Sequence, residues 1–259
     1  MIVAGRTFFA SLSLTAYVMI RRQGSNRLLA KEIALLTALG SILALHWWTF
    51  FHAIQISTVA VGLLGFAAFP MFVTMLEPIV FKEPLRGFDV FTALTVTAGL
   101  IVVAWPLDLQ TGRTTGALWG VCSGFLFAVL SLLNRRYVRR HGSIRMAWFQ
   151  NGVAFLLLLP LTWSASVWTL TWQQWLLLLI LGVFCTAFSH ALFIYSLAAV
   201  RAQLAGIVAA LEPVYGIVFA FLLLGEVPTA ATIMGGVMIV GTTGLAMFRG
   251  QSEDGRDSL

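Results

Sequence analysis

Nine apolar runs follow one another through the chain with only short linkers between them: 2–20, 33–54, 58–81, 87–105, 115–134, 146–163, 173–198, 203–224 and 228–248. A hydrocarbon core of about 30 Å needs about 20 helical residues, which is close to the length of each run. A soluble fold could not hide them. Hydrophobic residues make up 59% of the chain and charged residues 10%, whereas soluble domains carry about 25% charged residues. The pattern predicts an all-α, polytopic membrane protein whose outer surface is lipid. Cys122 and Cys185 both fall inside apolar runs. They read as small packing residues, and nothing in the chain spells a disulfide, metal or cofactor framework. The opening "MIVAGRTFFASLSLTAYVMIRR" has its basic residues after the apolar run, so it reads as a span and not as a signal peptide.

The formal charge of +6 is distributed as membrane topology requires, and nucleic acid is not an expected partner. With nine spans, every Lys and Arg except Arg6 and Arg113 falls on one side, 14 of 16. That side is expected to be cytoplasmic, in an inner-membrane protein with a cytoplasmic C-terminus. Nine spans then place the N-terminus outside, and the simplest expectation is that one further helix belongs in front of this chain. The tail "RGQSEDGRDSL", 249–259, is polar and reads as disordered.

A shift of 143 residues lays the chain on itself. Pro70 lands on Pro213, Glu83 on Glu226, Ala67 on Ala210, His46 on Ser189 and His52 on Tyr195. The runs 33–54, 58–81 and 87–105 fall on 173–198, 203–224 and 228–248. Five spans lie within the shift, an odd number, so the two halves face opposite ways across the bilayer. Lys82 and Arg86 flank the end of the first copy, while 225–229 has no basic residue. The organisation expected is an inverted repeat of four plus five spans, 1–107 and 114–248, or five plus five with the further helix. The solute would pass along the seam between the halves, and alternating access uses such repeats. Pro70 and Pro213 are expected mid-span, kinking their helices where a neighbour or a cavity satisfies the freed carbonyl. Pro228 fits the first turn of the last helix.

The stretch "FFHAIQISTVAVGLLGFAAFPMFVTMLEPIVFKEPLRG" resembles the first EamA repeat of the drug/metabolite transporter superfamily. "FIYSLAAVRAQLAGIVAALEPVYGIVFAFLLLGEVPTAATIMGGVMIVGTTGL" is similar to the second. Shared are an aromatic helix ending near a Thr/Ala-rich turn, a mid-helix Pro, a Glu at the helix end and a glycine-bearing closing helix. The resemblance implies ten helices, metabolite export or exchange, cytoplasmic termini, and a cavity lined by 33–54, 58–81, 173–198 and 203–224. This chain departs from the pattern at its N-terminus, where the first helix is lacking.

Glu212 stands out, about ten residues or 15 Å into the 203–224 run. A carboxylate there is costly unless paired, hydrated or protonated, so it is either a proton carrier or cation ligand, or a protonated strut between helices. Glu77, near the cytoplasmic end and within reach of Lys82, reads as an interfacial ion pair. Glu83 and Glu226 read as caps on the helices that follow them. His46, near mid-span, and His190 titrate near neutral pH and are either pathway or packing residues. Thr49, His52 and Gln55 share one helix face that would look into a cavity on the external side, with Tyr195 and Tyr215 adding hydroxyls. Trp47, Trp48, Trp163, Trp168, Trp172 and Trp175 read as lipid-facing or interfacial anchors. Gly235, Gly236, Gly241 and Gly244 let the last helix approach a neighbour, either in this chain or in a second copy.

No HExxH, GxGD or GxSxG motif is present, which argues against an intramembrane enzyme. A pore would repeat one filter around an axis, and no such motif appears. The expectation is a secondary transporter and not an enzyme, for a small, partly apolar, cationic or zwitterionic metabolite such as an amino acid.

Overall fold

The computed structural model describes residues 2–21, 28–82, 87–105, 110, 112–162, 170–200, 202 and 212–254. Among the described residues all regular structure is helical. In lipid a chain must satisfy its backbone polar groups internally, and helices do so within one segment. The elements are α1 (Ile2–Ile20), α2 (Ala30–Ile56), α3 (Val59–Phe66), α4 (Phe69–Phe81), α5 (Gly87–Ala104), α6 (Gly112–His141), α7 (Ser143–Leu158), α8 (Trp172–Gly182), α9 (Ser189–Ser196), α10 (Glu212–Leu224) and α11 (Ala230–Asp254). A 3-10 turn extends α7 to Thr162, and a π-helical stretch, Val183–Phe188, joins α8 to α9. Six segments are long and apolar enough to cross a membrane: Ile2–Ile20, Ala30–Ile56, Val59–Phe81, Gly112–His141, Ser143–Leu161 and Trp172–Ser196. Val90–Ala104, Glu212–Leu224 and Ala230–Thr242 are shorter apolar helices. Each of the nine apolar runs therefore carries a helix. The last one continues to Asp254, so 249–254, expected as disordered tail, are helical, and 255–259 lie outside the described residues.

The chain forms two compact units. The first is Met1–Trp48 with Leu133–Val200, and the second is Thr49–Leu132 with Arg201–Leu259. Neither unit is one sequence repeat, because each draws on both. In the first unit α1 packs on α7, and α1 shifted by 143 falls on 145–163. In the second, α5 packs on α11 and α3 on α10. α5 shifted falls on 230–247, and α4 shifted falls on 212–224, the bounds of α10 to the residue. The ends agree as well. Lys82 closes α4 with φ 60°, and its counterpart Gly225 follows α10 with φ 68°.

The α5–α11 crossing is backbone against backbone. A Cβ on Gly235 would stand 2.5 Å from the Gly99 carbonyl oxygen and 2.5 Å from Val103 Cγ2, so only glycine permits this approach. Around it Val61, Leu64, Ala67, Val96, Val103 and Ile239 form the buried core of the second unit. The neighbour of the Gly235 face is thus in the same chain, while Gly241 and Gly244 have open space beside them.

Pro70 does not kink a continuous helix. The helix stops at Phe66 and restarts at Phe69, with Pro70 in the first turn of α4, where a missing N–H costs little. The carbonyl that Pro70 would have engaged, that of Phe66, lies against Gly124, whose added Cβ would be 2.8 Å from it. A neighbouring helix without a side chain therefore covers the break. Pro213 is buried in the first turn of α10, and the residue whose carbonyl it would have engaged, Ala209, lies outside the described residues.

Candidate functional site

The first unit holds a polar core that the apolar runs conceal. Arg6, one turn into α1, is 5% exposed. Its Nε donates to Thr186 Oγ1 at 2.9 Å and its Nη2 to the Cys185 carbonyl at 3.4 Å. Its guanidinium lies 3.6 Å from the centre of the Trp47 ring, a cation–π contact strengthened by exclusion of water. Thr186 in turn donates to the Leu181 carbonyl five residues back, at 2.7 Å, which matches the wider winding of Val183–Phe188. Such π-stretches recur at functional sites, where they re-aim side chains.

One turn beyond Thr186, on the same strand of helix, is His190. Its Nε2 is 2.9 Å from Gln150 Oε1, and Gln150 Nε2 donates to Asn134 Oδ1 at 2.7 Å. An amide oxygen only accepts, so His190 Nε2 is the donor and the chain has a direction. It ends at Asn134 Nδ2, a buried amide nitrogen with no partner among the described residues. Asn151, beside Gln150 on α7, donates to the Ala147 carbonyl at 2.8 Å, and its buried Oδ1 has no partner there either. Gln150, Asn134 and Asn151 are fully buried. Orphaned buried amide atoms are uncommon and call for a bound water or ligand.

Charge is divided unevenly between the units. Segments 1–48 and 133–200 carry ten Lys and Arg and a single acid, Glu32, while the remaining segments carry six and nine. Glu32 accepts from Arg140 at 2.8 Å and from the Leu29 N–H at 2.9 Å, closing the start of α2. Arg139 donates twice to the Ala198 carbonyl, at 3.2 and 3.0 Å, and caps the end of α9.

In the second unit Glu226 does not cap the helix that follows it. Its two oxygens accept from the N–H groups of Val59 and Ala60, at 3.1 and 3.2 Å, at the start of α3. Thr58 Oγ1 takes the Val61 N–H and the Thr58 carbonyl takes that of Gly62. All four initial donors of α3 are thereby met. The turn carrying Glu226 folds back onto α3, so tertiary packing decides which helix receives the carboxylate. Arg113 braces this turn, donating to Thr229 Oγ1 at 3.1 Å and to the Trp105 carbonyl at 3.0 Å.

The residues singled out from sequence are placed as follows. His46 and His190 are buried in the first unit, and Tyr195 is exposed there. Thr49 is buried in the second unit, the half-buried His52 meets Trp119 edge-on at 5.2 Å, and Gln55 is exposed. The stripe of Thr49, His52 and Gln55 thus runs from interior to surface. Glu212, the first residue of α10, is exposed on the chain, as is Tyr215. Glu77 is buried and Lys82 exposed; Glu83, Trp163 and Trp168 lie outside the described residues. Trp48, Trp172 and Trp175 are exposed, and the half-buried Trp47 holds the Arg6 guanidinium on its ring. The sequence reading took Arg6 only as a topology charge and passed over Gln150, Asn134 and Asn151. The available signal was polar residues inside otherwise apolar runs.

Residues 114–248 match the sequence profile of the EamA-like transporter family. The match covers more than half of the chain, and the chain belongs to that family of membrane transporters. It is 28% identical over 243 residues to a pseudopaline exporter, CntI, of Pseudomonas aeruginosa, spanning 90% of this chain and 82% of that one. It is also 28% identical over 192 residues to a transporter of Archaeoglobus fulgidus, spanning 74% and 68%. A solved crystal structure shares the fold with a TM-score of 0.69 at 20% identity, covering 95% of this chain and 86% of that one.

Proposed function

We propose that the chain is a secondary transporter that exports a small metabolite, such as an amino acid, across the inner membrane by alternating access between its two inverted repeats. One observation carries the reading: within each compact unit, helices from corresponding stretches of the two repeats pack on one another, α1 with α7 and α5 with α11. Two copies of one design, interlocked in this way, have two equivalent arrangements available, as alternating access requires. The Pseudomonas relative is an exporter, which supports the direction. The placement of basic residues supports a cytoplasmic C-terminus.

Proton coupling is assigned to Glu212. An exposed carboxylate at the start of an apolar helix is costly against lipid, so it is expected to face water or solute. Purified protein in liposomes should show saturable counterflow of radiolabelled L-amino acids, and an inward-acid gradient should change the rate. Glu212→Gln should leave counterflow in place and remove the dependence on the gradient. Retention of the full pH dependence by Glu212→Gln refutes that role. Flux that is linear in concentration and without counterflow refutes the transporter reading.

A further inference from the structure

We propose that the π-helical stretch Val183–Phe188 is a joint about which the two halves of the α8–α9 span turn during transport, and that Arg6 is the positioning residue that latches it. The inference rests on the transport reading and names its moving part.

Four observations converge on this stretch. First, the span changes partners there: α8 packs on α1, α9 packs on α7, and Val183–Phe188 meets both. Second, each half is anchored at the edge of the stretch. A Cβ on Gly182 would stand 2.8 Å from the Arg6 carbonyl oxygen and 3.2 Å from the Ala10 nitrogen, so α8 lies backbone against backbone on α1. On the far side His190 meets Gln150 at 2.9 Å and holds α9 to α7. Any turn of one half against the other falls on the residues between these two anchors. Third, Arg6 bonds to what the π winding presents. In an α-helix the Ser189 N–H takes the Cys185 carbonyl, four residues back. Here that N–H is shared between the Phe184 and Thr186 carbonyls, and the Cys185 carbonyl accepts from Arg6 Nη2 at 3.4 Å and Ser189 Oγ at 3.2 Å. Thr186 Oγ1 donates to the Leu181 carbonyl at 2.7 Å and accepts from Arg6 Nε at 2.9 Å. Arg6 thus favours the π winding over the α winding. Fourth, the repeat counterpart is wound differently. Shifted by 143, the stretch falls on 40–45, inside the unbroken α2. α2 is seated as α8 is: a Cβ on Gly40 would stand 2.6 Å from Val153 Cβ and 3.2 Å from the Gln150 carbonyl oxygen of α7. Equivalent spans, seated alike, carry two windings, and alternating access exchanges the shapes of such copies. A π turn takes up one residue more than an α turn. Rewinding the stretch therefore turns α9 against α8 by about 100°, the angle of one residue, and lifts His190 off Gln150.

The alternative is a fixed irregularity that only fits the span to its two neighbours. The test uses purified full-length protein with Cys122 and Cys185 replaced by Ala. Spin labels go on Leu177→Cys and Leu192→Cys, exposed positions on either side of the joint. A control pair, Leu12→Cys with Leu177→Cys, lies on α1 and α8 and does not cross it. Distances are read by electron spin resonance. Thr186→Val keeps the side-chain shape and removes both of its bonds. It should raise the share of a second distance across the joint by about tenfold, the effect of losing a buried bond to a charged group, with the control pair unmoved. Arg6→Lys keeps the charge but lacks the fork that spans Thr186 and the Cys185 carbonyl, and should act in the same direction. Thr186→Ser keeps the hydroxyl and should match wild type. One distance across the joint, alike in wild type, Thr186→Val and Arg6→Lys, overturns the proposal, as does equal movement of the control pair. Amino-acid counterflow on the same preparation separates the two claims. Counterflow with a single unchanging distance removes the joint and leaves the transporter. A second distance without any counterflow removes the transporter reading for amino acids and leaves the joint.

Discussion

Gly235→Ala and Gly241→Ala lie on the same helix, change the same atoms and should move stability in opposite directions. At Gly235 the new methyl would stand 2.5 Å from the Gly99 carbonyl and 2.5 Å from Val103 Cγ2, where ordinary contact begins at 3.4 Å. The helices α5 and α11 would have to part by about 0.9 Å, the difference of those two distances. Neither obstacle is a flexible side-chain tip, since one is backbone and the other a β-branched methyl. Overpacking of this kind costs about 1–3 kcal/mol. Replacing glycine by alanine within a helix returns about 1 kcal/mol. At Gly241 nothing lies within 4 Å of the added methyl, so only the helix-propensity gain applies. The difference between the two variants cancels that gain and isolates the crossing, at about 1–3 kcal/mol. For a protein of this size 1 kcal/mol shifts Tm by about 2–4 °C. Thermal unfolding of both variants in one detergent should therefore separate them by about 2–12 °C, with Gly241→Ala the more stable. Equal shifts in the same direction would refute the α5–α11 contact and, with it, the pairing of repeat counterparts in the second unit.

Two further stability predictions follow from the repeat. Lys82 holds a left-handed backbone where its counterpart is Gly225. Lys82→Gly should therefore stabilise the protein by about 0.5–1 kcal/mol, read as a higher Tm, because the steric cost of a side chain there exceeds the entropy cost of glycine. Glu226→Ala removes two carboxylate bonds and a dipole-favoured charge from the start of α3, and should cost about 1–2 kcal/mol. Hydrogen exchange should then rise at Val59 and Ala60 before it rises in the rest of α3; a uniform increase would show that the cap is not what fixes that end.

Much of the fold was legible because lipid allows few choices. Apolar runs of membrane length must be helices, and each of the nine runs carries one. Pro70 and Pro213 coincide under the 143-residue shift, and the bounds of α4 and α10 coincide under the same shift. What the sequence hid were contacts between distant residues. Glu226 lies 167 positions from Val59, and no local rule told that it would cap α3 and not the helix beside it. Pro70 reads locally as a kink, and only the adjacent Gly124 explains why the chain can stop and restart there. The polar core was hidden most deeply. Arg6 looked like a topology charge and Trp47 like an interfacial anchor, because each was weighed alone, and their meaning arises from the 3.6 Å between them. Gln150 and Asn134 are single polar residues among many apolar ones, and sequence alone does not pair them across 16 positions. His190, by contrast, was singled out, because an ionisable ring inside an apolar run is conspicuous by itself.

The account stands on the opposite orientation of the two halves in the membrane, and site-directed labelling measures that most directly. Cys122 and Cys185 are exposed, so both are first replaced by Ala. Lys82→Cys and Val227→Cys are then introduced separately, at exposed positions that close equivalent helices. Intact cells and inside-out vesicles are treated with a membrane-impermeant maleimide. The inverted arrangement predicts that Lys82→Cys reacts only in inside-out vesicles and Val227→Cys only in intact cells. Reaction of both from the same side would contradict it.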